Sequence, residues 1–169
     1  MSAAAKQAGF PGNWVAAVAT LGPIGQKLPA PGTWGSLAGL LYFRVFFTRV
    51  NTWENIGISV VAAVIAAWFC GMAEVVLGKK DPGEVILDEF VAMPLCFLFW
   101  PTLVQRWPVW AVLLGGFALF RFYDILKPLG ISRLQNIKGG WGVVIDDTAA
   151  ALAACATLHV LVWIFAVRA

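Results

Sequence analysis

Two adjacent aspartates, Asp146 and Asp147, interrupt a strongly apolar part of this 169-residue chain. They lie in the segment GGWGVVIDDTAAALAA, residues 139–154, which continues as an apolar run to residue 167. A carboxylate near a bilayer is costly unless water, a cation or a partner group receives it. Because hard divalent ions prefer oxygen ligands, the pair predicts a bound metal ion.

Two other acidic elements have the same character. Asp88 and Glu89 are adjacent in LDEF, and Asp124 lies between Arg121 and Lys127 in RFYDILK. The spacing i, i+3, i+6 brings the last three residues to roughly one helix face, so that a cation, an anion and a cation follow one another. That pattern suits a phosphate beside a metal. We predict a Mg²⁺ site formed by five carboxylates: Asp88, Glu89, Asp124, Asp146 and Asp147.

Glycine-rich turns precede two of the predicted helices. One is the segment GGWG, with Gly139 and Gly140, and the other is PGTWGS, in which Thr33 is the expected N-cap. Exposed backbone amides and the positive end of a helix dipole can receive a phosphate oxygen. We therefore predict a substrate phosphate site formed by Thr33, Arg121, Lys127, Gly139 and Gly140.

Simpler roles for these residues remain open. An acid at a helix start is favoured by the helix dipole and often has no other function. Arg121 and Lys127 could simply pair with Asp124. A metal site is favoured over simple helix capping because the five acids share one membrane face. The single histidine, His159, is expected to be a packed or hydrogen-bonded side chain, and the three cysteines are expected to be reduced packing residues: Cys70, Cys96 and Cys155.

Composition fixes the surroundings of these residues. Hydrophobic residues make up 60% of the chain and charged residues 12%, with a mean hydropathy of +0.80. About a quarter of the residues of a soluble domain are charged. We therefore predict an all-α integral membrane protein with one domain over residues 1–169. Residues 1–12 are expected to form a flexible tail, followed by a short interfacial or re-entrant segment. We expect the protein to interact with the lipid bilayer and not with a nucleic acid.

Hydropathy predicts a compact bundle of about five membrane-embedded helices. Gly35 and Gly39, at GxxxG spacing, would let another helix approach the first one closely. Pro94 should kink the third helix or shift its start. The predicted spans are residues 34–48, 56–77, 87–104, 110–126 and 143–167.

Alternating the direction of these spans gathers the charges on one membrane face. Seven of the nine acids then share a face, which also holds most of the lysines and arginines. By the positive-inside rule, that face is cytoplasmic.

Four motifs, in this order, resemble the phosphatidylglycerophosphatase A family of bacterial lipid phosphatases: PGTWGSLAGL, LDEFVAM, FRFYDILKPLGISRL and GGWGVVIDDTAAAL. The resemblance covers residues 14–160. It implies a magnesium-dependent enzyme of the inner membrane that removes the terminal phosphate of phosphatidylglycerophosphate on the cytoplasmic side. Lys138 replaces a histidine of some relatives, so an obligatory base is not expected there, and the role of Arg133 stays open. The catalytic residues carried over are Asp88, Glu89, Asp124, Lys127, Asp146 and Asp147.

The expected mechanism is metal-assisted hydrolysis. Mg²⁺ would polarise the phosphate and activate a bound water, which attacks phosphorus in line. Arg121 and Lys127 would neutralise the charge that develops on the phosphate oxygens. A covalent aspartyl-phosphate remains an alternative, although the DxDx(T/V) motif is absent. A membrane cation carrier would use the same carboxylates, but such carriers bind near the bilayer midplane. A membrane scaffold would need no acidic cluster.

Overall fold

The computed structural model describes residues 12–128, 130–137 and 139–166. Residues 1–11 of the predicted tail, Lys138 and residue 167 lie outside the described residues. Helices and turns form the described part of the chain. The α-helices are α1 (Gly12–Ala19), α2 (Pro23–Lys27), α3 (Pro31–Tyr42), α4 (Thr52–Leu77), α5 (Leu87–Ala92), α6 (Trp100–Val104), α7 (Val109–Leu126) and α8 (Gly140–Ala166).

Three of these helices are long and apolar enough to cross a membrane: Thr52–Leu77, Val109–Leu126 and Gly140–Phe165. A spanning helix needs about 20 predominantly apolar residues, fewer or more according to tilt. The predicted all-α membrane fold is confirmed. The predicted number of spans, about five, is approximate, because the other two predicted spans are interrupted or shorter.

The predicted span over residues 87–104 is broken into three pieces. Helix α5 ends at Ala92, a 3-10 turn covers Met93–Phe97, and α6 follows a left-handed residue, Phe99, with φ of 56°. Pro94 lies in the 3-10 turn, as expected from its missing N–H. Polar side chains of the neighbouring helix satisfy the freed backbone. Asn55 donates to Pro94 O at 3.3 Å, and Thr52 Oγ1 accepts from Phe99 N at 3.3 Å.

The first predicted span begins earlier than expected. Helix α3 starts at Pro31 and continues into a π-helical turn, Phe43–Phe47. Proline is well suited to the first helical position, where its missing N–H would have no intrahelical partner. The N-cap is Ala30, so the prediction of Thr33 as the N-cap is wrong. Thr33 lies in the first turn and its amide donates to Ala30 O at 2.9 Å.

Two long helices also start before their predicted positions. Helix α4 begins at Thr52, because Asn51 and Glu54 form a reciprocal capping box that the apolar pattern alone does not reveal. Helix α8 begins at Gly140, which therefore lies in the helix and not before it. The backbone of Gly140 packs directly on α4, where an added Cβ would overlap Ala67 O.

The small residues of α3 allow close helix packing, as predicted. A Cβ on Gly35 would lie 2.8 Å from Ile86 Cβ, and one on Gly39 would lie 2.7 Å from both Met93 Cβ and Phe90 O. Helix α3 therefore lies directly against the segment that carries Asp88 and Glu89. Helix α8 packs on α4, α5 and α7, and the short α1 packs on α4.

The packing roles predicted for histidine and cysteine are confirmed. His159 Nε2 lies 2.9 Å from Leu98 O, so the ring joins α8 to the chain before α6. All three cysteines are free and buried.

Substitution of Gly39 should test the close packing of α3 on α5. Gly39→Ala should destabilise the protein by about 1–3 kcal/mol, because the neighbouring backbone carbonyl of Phe90 cannot move aside as a flexible side chain would. The measurement is thermal unfolding in detergent. Gly57→Ala is the matched control, since nothing lies within 4 Å of the added methyl group. Equal unfolding temperatures for the two variants would contradict this account.

Candidate metal and phosphate site

The predicted acidic elements meet where four helices come together. Asp88 and Glu89 lie in the first turn of α5, Asp124 is in the last turn of α7, and the aspartate pair is in the second turn of α8. Helix α8 contacts both α5 and α7, which brings the three acidic motifs to one location. The first turn of α3 packs against this location at Gly32, next to Glu89 and Arg121.

Three carboxylates are close enough to share one metal ion. Asp88, Glu89 and Asp147 each offer an oxygen atom, and these atoms lie within 4.8 Å of one another. Asp88 and Asp147 are each only 3% exposed. An all-oxygen, negatively charged donor set of this kind fits a hard divalent cation.

The other two predicted ligands are held by basic side chains. Arg121 Nη1 lies 2.6 Å from Asp124 Oδ2, and Lys127 Nζ lies 4.0 Å from Asp124 Oδ1. Lys127 also forms a close ion pair with Asp146. The predicted order of cation, anion and cation brings the three side chains together, with Arg121 and Asp124 on α7 and Lys127 directly after its end. That Asp124 and Asp146 also bind metal stays a prediction.

Unsatisfied polar atoms concentrate in this cluster. Among the described residues, five buried side-chain nitrogen or oxygen atoms lack a hydrogen-bond partner, and all belong to predicted site residues. Four are carboxylate oxygens that could receive a cation, and one is a guanidinium nitrogen that could donate to an anion. They are Asp88 Oδ1, Glu89 Oε2, Asp146 Oδ1, Asp147 Oδ2 and Arg121 Nε.

Burial also changes the acidity of these groups. Burial raises the pKa of Asp88 to about 6. Burial, together with the charge of Asp88, raises the pKa of Glu89 well above its usual value. Partial burial by itself lowers the pKa of Lys127, but the hydrogen bond to Asp146 and the neighbouring carboxylates outweigh it, so the pKa rises overall. A cation between the acids would favour their ionised forms.

Helix α3 contributes two residues that the sequence analysis did not single out. A Cβ on Gly32 would overlap Glu89 Oε1 and lie 3.2 Å from Arg121 Nη1, so only glycine fits there without displacement. Arg121 Nη1 also donates to Ser36 Oγ at 3.2 Å, and Ser36 Oγ donates to Gly32 O at 2.7 Å. Their i, i+4 spacing in PGTWGS is the sequence signal that could have identified them.

The remaining predicted phosphate residues lie at the starts of the two helices α3 and α8. Thr33 follows Gly32 in the first turn of α3. Gly139, with φ of +70°, lines a polar cavity of about 270 Å³ together with Lys80 and Ser132. The backbone of Gly140 packs on α4. Phosphate binding by Thr33, Gly139 and Gly140 stays a prediction.

Comparison with known proteins identifies a family for the chain. A family model described as phosphatidylglycerophosphatase A matches residues 17–162. The chain belongs to the phosphatidylglycerophosphatase A family. It is therefore a phosphatase that acts on a lipid.

Three relatives match most of the chain. Phosphatidylglycerophosphatase A of Haemophilus influenzae is 34% identical over 73% of this chain and 74% of its own length. The protein of the same name from Escherichia coli is 29% identical over 76% of this chain and 72% of its own length. A putative phosphatidylinositol-3-phosphatase of Bacteroides thetaiotaomicron is 36% identical over 80% of this chain and 85% of its own length. No solved structure matches the chain.

Gly32 provides a test of the site geometry. Gly32→Ala should lower lipid phosphatase activity by about 100-fold, because the methyl group displaces Glu89 and Arg121, and a shift of about 1 Å at a reacting centre can cost that much. Activity and thermal unfolding should both be measured. Gly83→Ala is the control, since nothing lies within 4 Å of the added methyl group. Full activity of Gly32→Ala would show that Glu89 and Arg121 need not hold these positions.

Proposed function

We propose that this protein hydrolyses phosphatidylglycerophosphate to phosphatidylglycerol and phosphate in a Mg²⁺-dependent reaction on the cytoplasmic face of the bacterial inner membrane. Membership of the phosphatidylglycerophosphatase A family supports the reaction. The substrate named for the relatives from Haemophilus influenzae and Escherichia coli supports this choice of lipid.

One observation carries the proposal. Buried acceptors without a partner lie next to a buried donor without a partner. Leaving such atoms unsatisfied typically costs about 1–3 kcal/mol each, and more when the group is charged. A divalent cation on the carboxylate oxygens and a phosphate oxygen on Arg121 Nε would satisfy both kinds of atom together. A phosphate monoester with its metal has this combination of charges.

Asp88, Glu89 and Asp147 would hold the Mg²⁺ ion, with Asp124 and Asp146 completing the acidic set. A bound Mg²⁺ ion supplies a Lewis acid for the phosphoryl group and lowers the pKa of water. Arg121 neutralises charge on the non-bridging phosphate oxygens, and Ser36 and Asp124 fix the orientation of its guanidinium. Lys127 is held beside the site by Asp146, where it offers a second positive charge.

The distribution of basic residues supports the proposed orientation. Lys79 and Lys80 follow the end of α4, and Lys127 follows the end of α7, at the same end of the bundle as the acidic site. Arg49 and Arg106 precede the starts of α4 and α7 at the other end. Cytoplasmic segments of membrane proteins carry the excess of lysine and arginine.

A second lipid phosphate deserves a direct comparison. The relative named as a putative phosphatidylinositol-3-phosphatase is 36% identical to this chain. Both lipids present a phosphate monoester, which is the group that the acidic and basic side chains would recognise. We propose phosphatidylglycerophosphate as the better substrate, and kcat/KM for the two lipids, measured in the same micelles, tests this choice.

Metal removal is the first test of the reaction. Purified protein should release phosphate from phosphatidylglycerophosphate in detergent micelles, EDTA should abolish the release, and added Mg²⁺ should restore it. Phosphate release that persists after exhaustive chelation would contradict the metal assignment. Metal-dependent ion flux in proteoliposomes without phosphate release would favour the cation carrier.

Neutralising the Glu89 carboxylate should show whether Glu89 is a metal ligand or only an acid that caps a helix. Glu89→Gln should lower activity by about 100-fold or more and weaken Mn²⁺ binding, because an amide supplies no negative charge. The matched control is Glu54→Gln, at the capping box of α4, where an amide oxygen can still accept from Asn51 N. Mn²⁺ binding can be followed by electron paramagnetic resonance. Unchanged activity and Mn²⁺ affinity of Glu89→Gln would remove Glu89 from the ligand set.

A further inference from the structure

An apolar groove lies on the outer side of α3, close to the acidic site. Its volume is about 580 Å³, and its lining includes Leu28, Trp34, Leu37, Leu41, Arg44 and Leu113. Except for Arg44, these side chains are apolar. Trp34, Leu37 and Leu41 are exposed, so the groove is open to the surroundings of the bundle.

The groove and the proposed phosphate site are formed in part by the same two helices, α3 and α7. Trp34 lies two residues after Gly32, where an added Cβ would meet Glu89 and Arg121. Leu113 lies on α7, the helix that carries Arg121. A molecule with its phosphate at Arg121 and an apolar tail would therefore reach the groove by passing its tail around the first turn of α3.

The part of the chain from Trp34 to Arg44 that lines the groove is about as long as one leaflet of a bilayer is thick. Arg44 is ten positions after Trp34, which at 1.5 Å per residue is about 15 Å. The hydrocarbon core of a bilayer is about 30 Å thick, so this is about half of it. Tryptophan is enriched at the level of the lipid headgroups, and Trp34 lies at the end of the groove nearest the acidic site.

We propose that this groove binds one acyl chain of the phospholipid substrate while the phosphate is held at Arg121. The inference rests on the proposed function, since it takes the substrate to be a diacyl phospholipid with a terminal phosphate. The groove aligns the lipid along α3, so the acyl chain contributes to substrate binding and makes the enzyme sensitive to chain length.

Filling the groove should change chain-length selectivity. The measured quantity is the ratio of kcat/KM for dioleoyl to dihexanoyl phosphatidylglycerophosphate, in micelles of one detergent. Ala38→Phe, which adds a ring to the groove lining, should lower this ratio about tenfold, because the long chain loses buried apolar contact. Ala62→Phe is the matched control. It lies in a second apolar hollow of about 400 Å³ on α4, a helix without a predicted site residue.

A second, less disruptive variant of the groove keeps the test valid if Ala38→Phe misfolds. Leu41→Ala shortens an exposed side chain of the groove and should lower the ratio about threefold, whereas Val61→Ala, at a comparably exposed position of α4, should leave it unchanged. Ratios of both groove variants equal to that of the unmodified protein would overturn the acyl-chain site. Such a result would leave the proposed phosphatase reaction standing, because phosphate release would still be observed.

Photochemical labelling tests the groove without requiring turnover. Phosphatidylglycerophosphate with a diazirine in one acyl chain should label α3 in preference to α4, and excess unlabelled phosphatidylglycerophosphate should suppress the label. Label spread equally over both helices, or label unaffected by competitor, would show ordinary contact with surrounding lipid and would overturn the inference.

Discussion

The excess of buried negative charge where α3, α5, α7 and α8 meet is the constraint on which the rest of the structure depends. Five carboxylates lie there beside two basic side chains, Arg121 and Lys127, in the described part of the chain. Buried charges are tolerated when they are paired or coordinate a metal. The ion pairs engage Asp124 and Asp146 directly and leave Asp88 and Asp147 for a cation. The same arrangement that makes these acids costly to bury without a cation would make them bind a divalent ion well.

The broken helix after Asp88 and Glu89 follows from this constraint. A continuous spanning helix would carry these acids at its end, beside the lipid headgroups. Helix α5 is instead only six residues long and is enclosed by α3, α4 and α8, so its first turn reaches the interior of the bundle. The interruption at Pro94 is tolerated because Asn55 and Thr52 bond to the freed backbone groups. Irregular backbone at membrane depth is stable when protein surrounds it.

Much of this architecture could be predicted from the sequence, but only at the level that hydropathy and motifs report. Composition identifies a helical membrane protein, and the spacing of Arg121, Asp124 and Lys127 predicts that their side chains lie close together, as the ion pairs show. Hydropathy does not distinguish an apolar residue that faces lipid from one buried in protein, which is why residues 87–104 resembled a span. The division of the acids between metal and basic partners depends on helix rotation. The close approach of Gly32 to Glu89 depends on how α3 packs against α5. Helix rotation and helix packing are not encoded in a local sequence pattern.

The position of α3 connects the charged site to the lipid. Its buried face carries Gly32, Ser36 and Gly39, which allow Arg121 and α5 to approach, while its opposite face carries Trp34, Leu37 and Leu41. A single helix can present both faces only because glycine and serine occupy little space on the inner one. A phosphate bound at Arg121 would therefore lie within one helix diameter of the apolar surface, about 10–12 Å. This short distance allows a lipid phosphate to be bound while its acyl chains remain in the bilayer.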